Sequence, residues 1–313
     1  RAIPRFSTIS RRSVFFGRQK MKLDKNTKFL IVGLGVIGGG YAKALTKAGY
    51  TVDAFTKKAS DVMYAKEHGI ARKVTTIVDK KMIEDADVII FALYPHTFIE
   101  WVEEYGKWIL PKTLVTDVTG VKSEVIEKVN ARLPRGVEFI AAHPMAGRES
   151  SGIEYSDDSV FHGANYLITP TLKNSTEAIC ACRDLGKILG FSRITILSPA
   201  EHDRMIAFLS QLTHVIAVVL MNAENIEGLE KYTGDSFRDL TRIAKINDAM
   251  WSELFLMNRE ALLAETDDFL AVMEKFRAML AAGDREGMRE MMRVASARRS
   301  LFDKPKTSAA KAK

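Results

Sequence analysis

The chain's 313 residues, 47% hydrophobic and 27% charged, are enough for two domains of ordinary soluble composition, and no unbroken apolar run approaches the ~18 residues of a membrane span. A net charge of +7 would suit a nucleic-acid binder if it were spread over a folded surface. Instead residues 1–28 hold nine Lys/Arg against Asp24 alone, residues 304–313 hold four lysines and no acid, and the body between them carries −5, so neither nucleic acid nor membrane is an expected partner.

Residues 1–27 read as a basic extension without structure. The first twenty, RAIPRFSTISRRSVFFGRQK, are rich in Arg and Ser and lack acids, as an organelle transit peptide does; the alternative is a plain extension ahead of Met21. The expected compartment is the cytoplasm, or an organelle if residues 1–20 are such a peptide. From Lys28 an apolar run ends in glycines at Gly33 and Gly35, and a helical pattern follows over 36–48. Strand patterns then recur near 51–56, 87–93, 113–119 and 137–142, with helical ones near 60–68, 96–108 and 121–132. That alternation predicts right-handed βαβ units and a doubly wound, mainly parallel α/β sheet. Strands at 165–169 and 193–197, flanking a helix at 175–189, are expected to extend the same sheet, so that a dinucleotide-binding domain covers 28–198.

At Ser198 the pattern changes. Ser198, Pro199 and Glu201 form a helix start signal, and residues 199–303 are helical in period, which predicts an all-helical second domain. Within it the stretch 215–221 (VIAVVLM) is apolar on all sides and must be covered on all sides, a heavy demand on a domain of this size. A homodimer joined through the helical domains is expected; the alternative is a central helix wrapped by its own neighbours. Residues 304–313 have the composition of a disordered basic tail. Cys180 and Cys182 match no disulfide or zinc framework.

Gly33, Gly35 and Gly38 form GxGxxG between a strand and a helix, the context in which this motif signals a dinucleotide. The glycines allow a tight turn and close approach of the pyrophosphate, and the backbone at Val36 and Ile37 opens the helix whose N-terminus faces the phosphates. At the end of the second strand, where NAD-binding chains usually carry an acid, this chain reads Thr56, Lys57, Lys58, with Asp53 three residues earlier. The hydroxyl and two ammonium groups suit a 2′-phosphate, so NADP is the expected cofactor, with NAD possible.

His143 closes an apolar strand where open α/β sheets bind ligands, and its ring is the natural proton acceptor near neutral pH. Read alone it is as well explained as a loop cap. In the helical region His214, Arg238 and Arg242 stand out, the arginines as carboxylate partners. His202 and His214 lie ~18 Å apart along one helix, too far to share a metal, and none is expected.

Taken together, GLGVIGGG at 33–40, DVTGVK at 117–122, HPMAGRE at 143–149, LTH at 212–214, and FRDLTRIA at 237–244 with MW at 250–251 resemble the prephenate/arogenate dehydrogenase family of tyrosine biosynthesis. The resemblance spans roughly 28–303. It implies a Rossmann domain, a helical dimerisation domain, and oxidative decarboxylation of prephenate or arogenate with a nicotinamide cofactor. It implies His143 as the catalytic histidine that takes the ring hydroxyl's proton, Arg242 as a carboxylate anchor, and His214, Glu149 and Trp251 as pocket residues. Many members read DVGSVK, the serine bonded to substrate and histidine. Here Gly120 stands in its place, and Thr119, Lys122 or a water are the candidates for that contact. A β-hydroxyacid dehydrogenase is the rival enzyme, but it places a lysine in the long helix of the second domain and residues 204–222 have none. A catalytically silent NADP sensor is the rival from another class.

Overall fold

The computed structural model describes residues 23–147 and 150–303. The transit-peptide and tail expectations, and Glu149, fall outside these residues. The chain divides into two compact units between Asp203 and Arg204.

In the first unit, six strands run in the order β3-β2-β1-β4-β5-β6: β1 Lys28–Val32, β2 Thr51–Phe55, β3 Lys73–Thr75, β4 Val88–Phe91, β5 Leu114–Asp117 and β6 Glu138–Phe139. All their pairings are parallel. The helices between them are α1 Val36–Lys47, α2 Ala59–Glu67, α3 Lys80–Asp85, α4 Pro95–Tyr105 and α5 Ser123–Asn130. The order reverses between β1 and β4, which creates the crevice where doubly wound sheets take ligands. Ile89, Ile90 and Phe91 on β4 are fully buried, as expected of strands covered on both faces. Truncating Ile90 to Ala would cost about 2–5 kcal/mol.

The single sheet expected through residue 198 is in fact two. The expected strand at 137–142 splits: β6 pairs with β5 over only two residues, Ile140 donates a last hydrogen bond to Val115 O (2.9 Å), and β7 (Ala141–Pro144) leaves for a second sheet. That sheet has the order β7-β8-β9, with β8 Asn165–Thr169 antiparallel to β7 and parallel to β9 Arg193–Ile196, and α6 Thr176–Ile188 between the last two. The departure has a local cause, since side chains rather than strand β5 satisfy the backbone of Ala142: its N–H donates to Asp117 Oδ1 (3.1 Å) and its carbonyl accepts from Lys122 Nζ (2.6 Å). Strand β3 and helix α3 were not anticipated; three and six residues are too short to show a period.

The helix starting at Ser198 forms with its capping box closed. Ser198 N and Oγ donate to Glu201 Oε2 (2.8 and 2.7 Å), and Glu201 N donates to Ser198 Oγ (3.2 Å). This helix, α7 (Pro199–Ile206), contains the division between the units and runs through a wider π-type turn (207–211) into α8, Leu212–Asn222. The second unit continues with α9 Asp235–Thr241, α10 Asp248–Met257, α11 Arg259–Ala281 and α12 Arg285–Arg299. Inside it Gln211 is buried and bridges two helices, donating to Leu254 O (2.9 Å) and accepting from Asn258 Nδ2 (2.7 Å). Helix 199–222 meets the length and composition of a membrane span, which corrects the expectation that no segment would. The expectation counted only unbroken apolar runs; this helix carries charge only in its first two turns, where His202 and Asp203 are engaged in hydrogen bonds.

Candidate active site

The glycine loop lies at the carboxyl end of β1, beside the crevice between β1 and β4. Gly33 has φ +103°, a region open to glycine and strained for other residues, and a Cβ there would come within 2.4 Å of Ala92 O. A Cβ on Gly38 would meet Gly33 O at 1.9 Å, which lets α1 close directly onto the loop. A Cβ on Gly35 meets nothing within 4 Å. Gly35 precedes α1, which has neither a side-chain cap nor an acid in its first turn, so neither competes with a ligand for the N–H groups at Val36 and Ile37 at the helix's positive end. The cradle therefore fits a dinucleotide pyrophosphate on geometry alone.

At the end of β2, Asp53 is 7% exposed and paired with Arg72, whose Nε donates to Asp53 Oδ1 at 2.9 Å; it is not available to a ribose. Thr56 is also buried, and its hydroxyl donates to Asp61 Oδ2 (2.6 Å). Lys57 and Lys58 are exposed just before α2.

His143 sits in β7, one residue beyond the clamp that Asp117 and Lys122 close on Ala142. Its backbone is thus fixed to the carboxyl end of β5, the same end of the sheet as the glycine loop. Lys122 has no exposed side-chain surface and lies 2.7 Å from Asp117 Oδ2, 3.2 Å from Thr119 Oγ1 and 2.6 Å from Ala142 O. Thr119, 4% exposed, donates through its hydroxyl to Asp117. Thr119 and Lys122, the candidates for a substrate contact, are both engaged in holding the end of β5 and, through Lys122, the strand that carries His143. Burial pushes the Lys122 ammonium below its usual range, against the pull of Asp117. Removing one partner of such a buried pair typically costs about 3–5 kcal/mol.

The ring of His143 is held from one side. Its Nδ1 is 2.9 Å from His202 Nε2, and His202 Nδ1 is 2.8 Å from Asp203 Oδ1. Asp203 in turn accepts from the backbone N–H groups that open α5, Lys122 N to Oδ1 and Ser123 N to Oδ2, both 2.8 Å. Burial raises the Asp203 carboxyl, but hydrogen bonds from His202 and Ser123 outweigh it and hold the group below the usual carboxylate range. Burial drives His143 well below the ordinary imidazole value, with His202 and Lys122 adding to the shift; His202 is lowered too, by burial against the pull of Asp203. Among the described residues nothing is bonded to His143 Nε2. At neutral pH this is an uncharged ring with one nitrogen tied back and the other open.

In the second unit, His214 stacks on Trp251 with ring centroids 3.7 Å apart, its Nδ1 2.8 Å from Ser210 O. Arg242 is exposed at the start of a short turn, Arg242–Ala244. Sequence reading missed Asp117, His202 and Asp203. His202 drew attention only as a metal ligand and was set aside; among the described residues no His/Cys/Asp/Glu group could hold a metal. The DVTG motif did contain Asp117, but nothing in its spacing ties it to Ala142.

A glycine-cradled dinucleotide site beside a tied-back histidine, at one end of a doubly wound sheet, defines a nicotinamide-dependent dehydrogenase. Two family profiles match the chain: "Prephenate dehydrogenase, nucleotide-binding domain" over residues 41–191 and "Prephenate dehydrogenase, dimerization domain" over 198–294. The chain belongs to the prephenate dehydrogenase family. It is 30% identical to the prephenate dehydrogenase of Lactococcus lactis over 270 residues, 83% of this chain and 73% of that one. It is 29% identical to the cyclohexadienyl dehydrogenase of Zymomonas mobilis over 265 residues, 81% and 88% of the two chains. The crystal structure of prephenate dehydrogenase from Aquifex aeolicus in complex with hydroxyphenyl propionate and NAD+ is similar with TM-score 0.83 and 26% identity, covering 91% of this chain and all of that one.

Proposed function

We propose that this enzyme oxidatively decarboxylates prephenate or arogenate, with His143 as the base and the glycine loop at 33–38 as the cofactor cradle. The observation that carries the reading is the His143 ring itself: neutral, anchored through Nδ1, with Nε2 open at the ligand-binding end of the sheet. Bound there, the nicotinamide cofactor accepts a hydride. His143 Nε2 takes the proton of the ring hydroxyl as that carbon loses its hydride and becomes a carbonyl. The bond to the ring carboxylate then breaks, its electron pair flows into the ring, carbon dioxide leaves, and His143 returns the proton to the oxygen of the new phenol. Aromatisation drives the sequence forward, so the protein's task is mainly to position the groups. Arg242 is the proposed partner of a substrate carboxylate, with His214, Trp251 and Glu149 as pocket residues.

The domain reading stands with this proposal: a dinucleotide-binding domain over 28–198 and a helical domain over 199–303 that pairs two copies. NADP is the proposed preferred cofactor, supported by exposed Lys57 and Lys58 and by the engagement of Asp53 with Arg72. One observation favours NAD instead: the Thr56 hydroxyl, which the NADP reading offers to the 2′-phosphate, already donates to Asp61 and has that carboxylate's negative charge beside it. The test is an assay of both substrates with both cofactors. Reduction of neither cofactor with either substrate would overturn the reaction, and a clear preference for NAD would overturn the NADP reading alone.

A further inference from the structure

Gly120 has no side chain with which to orient the histidine, and the hydroxyl of its chain neighbour Thr119 is committed to Asp117. We propose that His202 is the positioning residue of this enzyme, setting the tautomer of His143 through the chain Asp203–His202–His143. The inference rests on the reading of His143 as the base.

The hydrogen-bond network assigns each proton. Asp203 is ionised and can only accept, and two backbone N–H groups already point at it. His202 must therefore carry its proton on Nδ1, the nitrogen 2.8 Å from Asp203 Oδ1. His202 is neutral, because its ring is fully buried and the nearby Lys122 ammonium disfavours a second positive charge. Its Nε2 is then a bare acceptor, and the only proton that can fill the 2.9 Å contact comes from His143 Nδ1. That leaves the lone pair of His143 on Nε2, the open nitrogen. The reverse arrangement, with His202 donating, would put a proton on His143 Nε2 and disable it as a base. When Nε2 takes up a proton in the reaction, the new imidazolium donates to a neutral ring backed by a carboxylate, so its charge is stabilised without water. Asp203, Lys122 and Asp117 are the charged groups around this pair of rings; their charges sum to −1, and it is burial of the rings, aided by Lys122, that keeps both neutral at rest.

His202→Leu, His202→Gln and His143→Asn test the proposal. In His202→Leu no acceptor faces His143 Nδ1. We expect kcat to fall by about 10²–10⁴, the scale of a mis-set tautomer, while KM and cofactor binding stay within about threefold and the ¹⁵N spectrum of the His143 ring moves toward the Nε2–H form. Glutamine can accept from His143 through its oxygen and donate to Asp203 through its nitrogen, so His202→Gln should stay within about tenfold of the parent and keep the Nδ1–H signature. A merely structural role would lower cofactor binding in both variants and leave the tautomer alone. Wild-type kcat in His202→Leu, or a wild-type His143 protonated on Nε2 near neutral pH, overturns the proposal. If the leucine variant does not fold, the wild-type ring spectrum and the glutamine variant decide it. An active His143→Asn removes the base itself, whereas an inactive His143→Asn beside an active His202→Leu removes only the relay.

Discussion

The two units are stabilised in different ways. In the sheet unit the interior is closed: strands β1, β4 and β5 are almost without exposed surface, and its buried polar groups Asp117, Lys122, His202 and Asp203 satisfy one another. In the helical unit few side chains are buried, and large apolar ones stand open along whole helices. Val219 on α8 is 60% exposed, and Leu263, Leu270 and Leu280 on α11 are 52, 55 and 62% exposed. A helix so apolar can be stable in water only when another surface covers it, and the profile matching this half is that of a dimerization domain. The first unit is finished by its own chain, whereas the second keeps apolar surface that the proposed pairing of two copies would cover.

Four measurements would break or sharpen that contrast, taken from the largest expected effect downward. Replacing His143 by Asn should lower kcat by about 10²–10⁴, the usual worth of a general base, while cofactor affinity, which depends on the glycine cradle, stays unchanged in a fluorescence titration. Near-normal turnover would detach the closed polar network of the sheet unit from the chemistry. In the helical unit, Leu270→Glu or Val219→Asp should weaken dimerisation about thirty-fold or more, as losing a buried hot spot does. Sedimentation velocity would report it, and an unchanged dimer would show that α8 and α11 do not form the interface.

A smaller effect is expected at the rim of the cofactor cradle. Lys57→Ala with Lys58→Ala should raise KM for NADP about tenfold and leave NAD untouched, the loss expected for charges exposed to solvent; equal changes for both cofactors would mean the lysines read no phosphate. The smallest effect is a pH slope confined to the sheet unit. His143 and His202 titrate lower in the folded protein than the ~6.5 of a free imidazole, so below that value the unfolded chain binds more protons and stability falls as the medium is acidified. The slope is at most about 1.4 kcal/mol per pH unit for each ring. Asp203, held low, adds stability above its unfolded value that is lost only in stronger acid, as pH falls through its folded value. Urea unfolding at pH 7 and pH 5.5 should show the histidine term, and His202→Gln should flatten it; a flat parent would mean the rings are not buried as described.

Much of this protein was readable before folding because the relevant signals are local. Gly33, Gly35 and Gly38 declare a dinucleotide turn by spacing alone. The capping box at Ser198 and Glu201 lies within one helical turn, and the alternation of apolar runs with helical stretches sets the parallel sheet through β5. His143 was visible as a residue at a strand's end, although its setting was not. The short elements β3 and α3 left no period to find. The break after Ile140 depends on Asp117 and Lys122, 25 and 20 residues from Ala142, capturing a backbone that the strand pattern assigned to the ladder. Lys122 seemed a polar residue bound for the substrate because a charge is costly to bury, and only packing supplies the three oxygens that make its burial tolerable. The partner of His143 lies 59 residues away, at the start of a helix whose own sequence announces only its cap. Chain-local chemistry determined the fold class, the cofactor turn and the candidate base. Which nitrogen of that base is left open was decided by tertiary structure, because it depends on a line of hydrogen bonds between segments that meet only when the sheet unit closes.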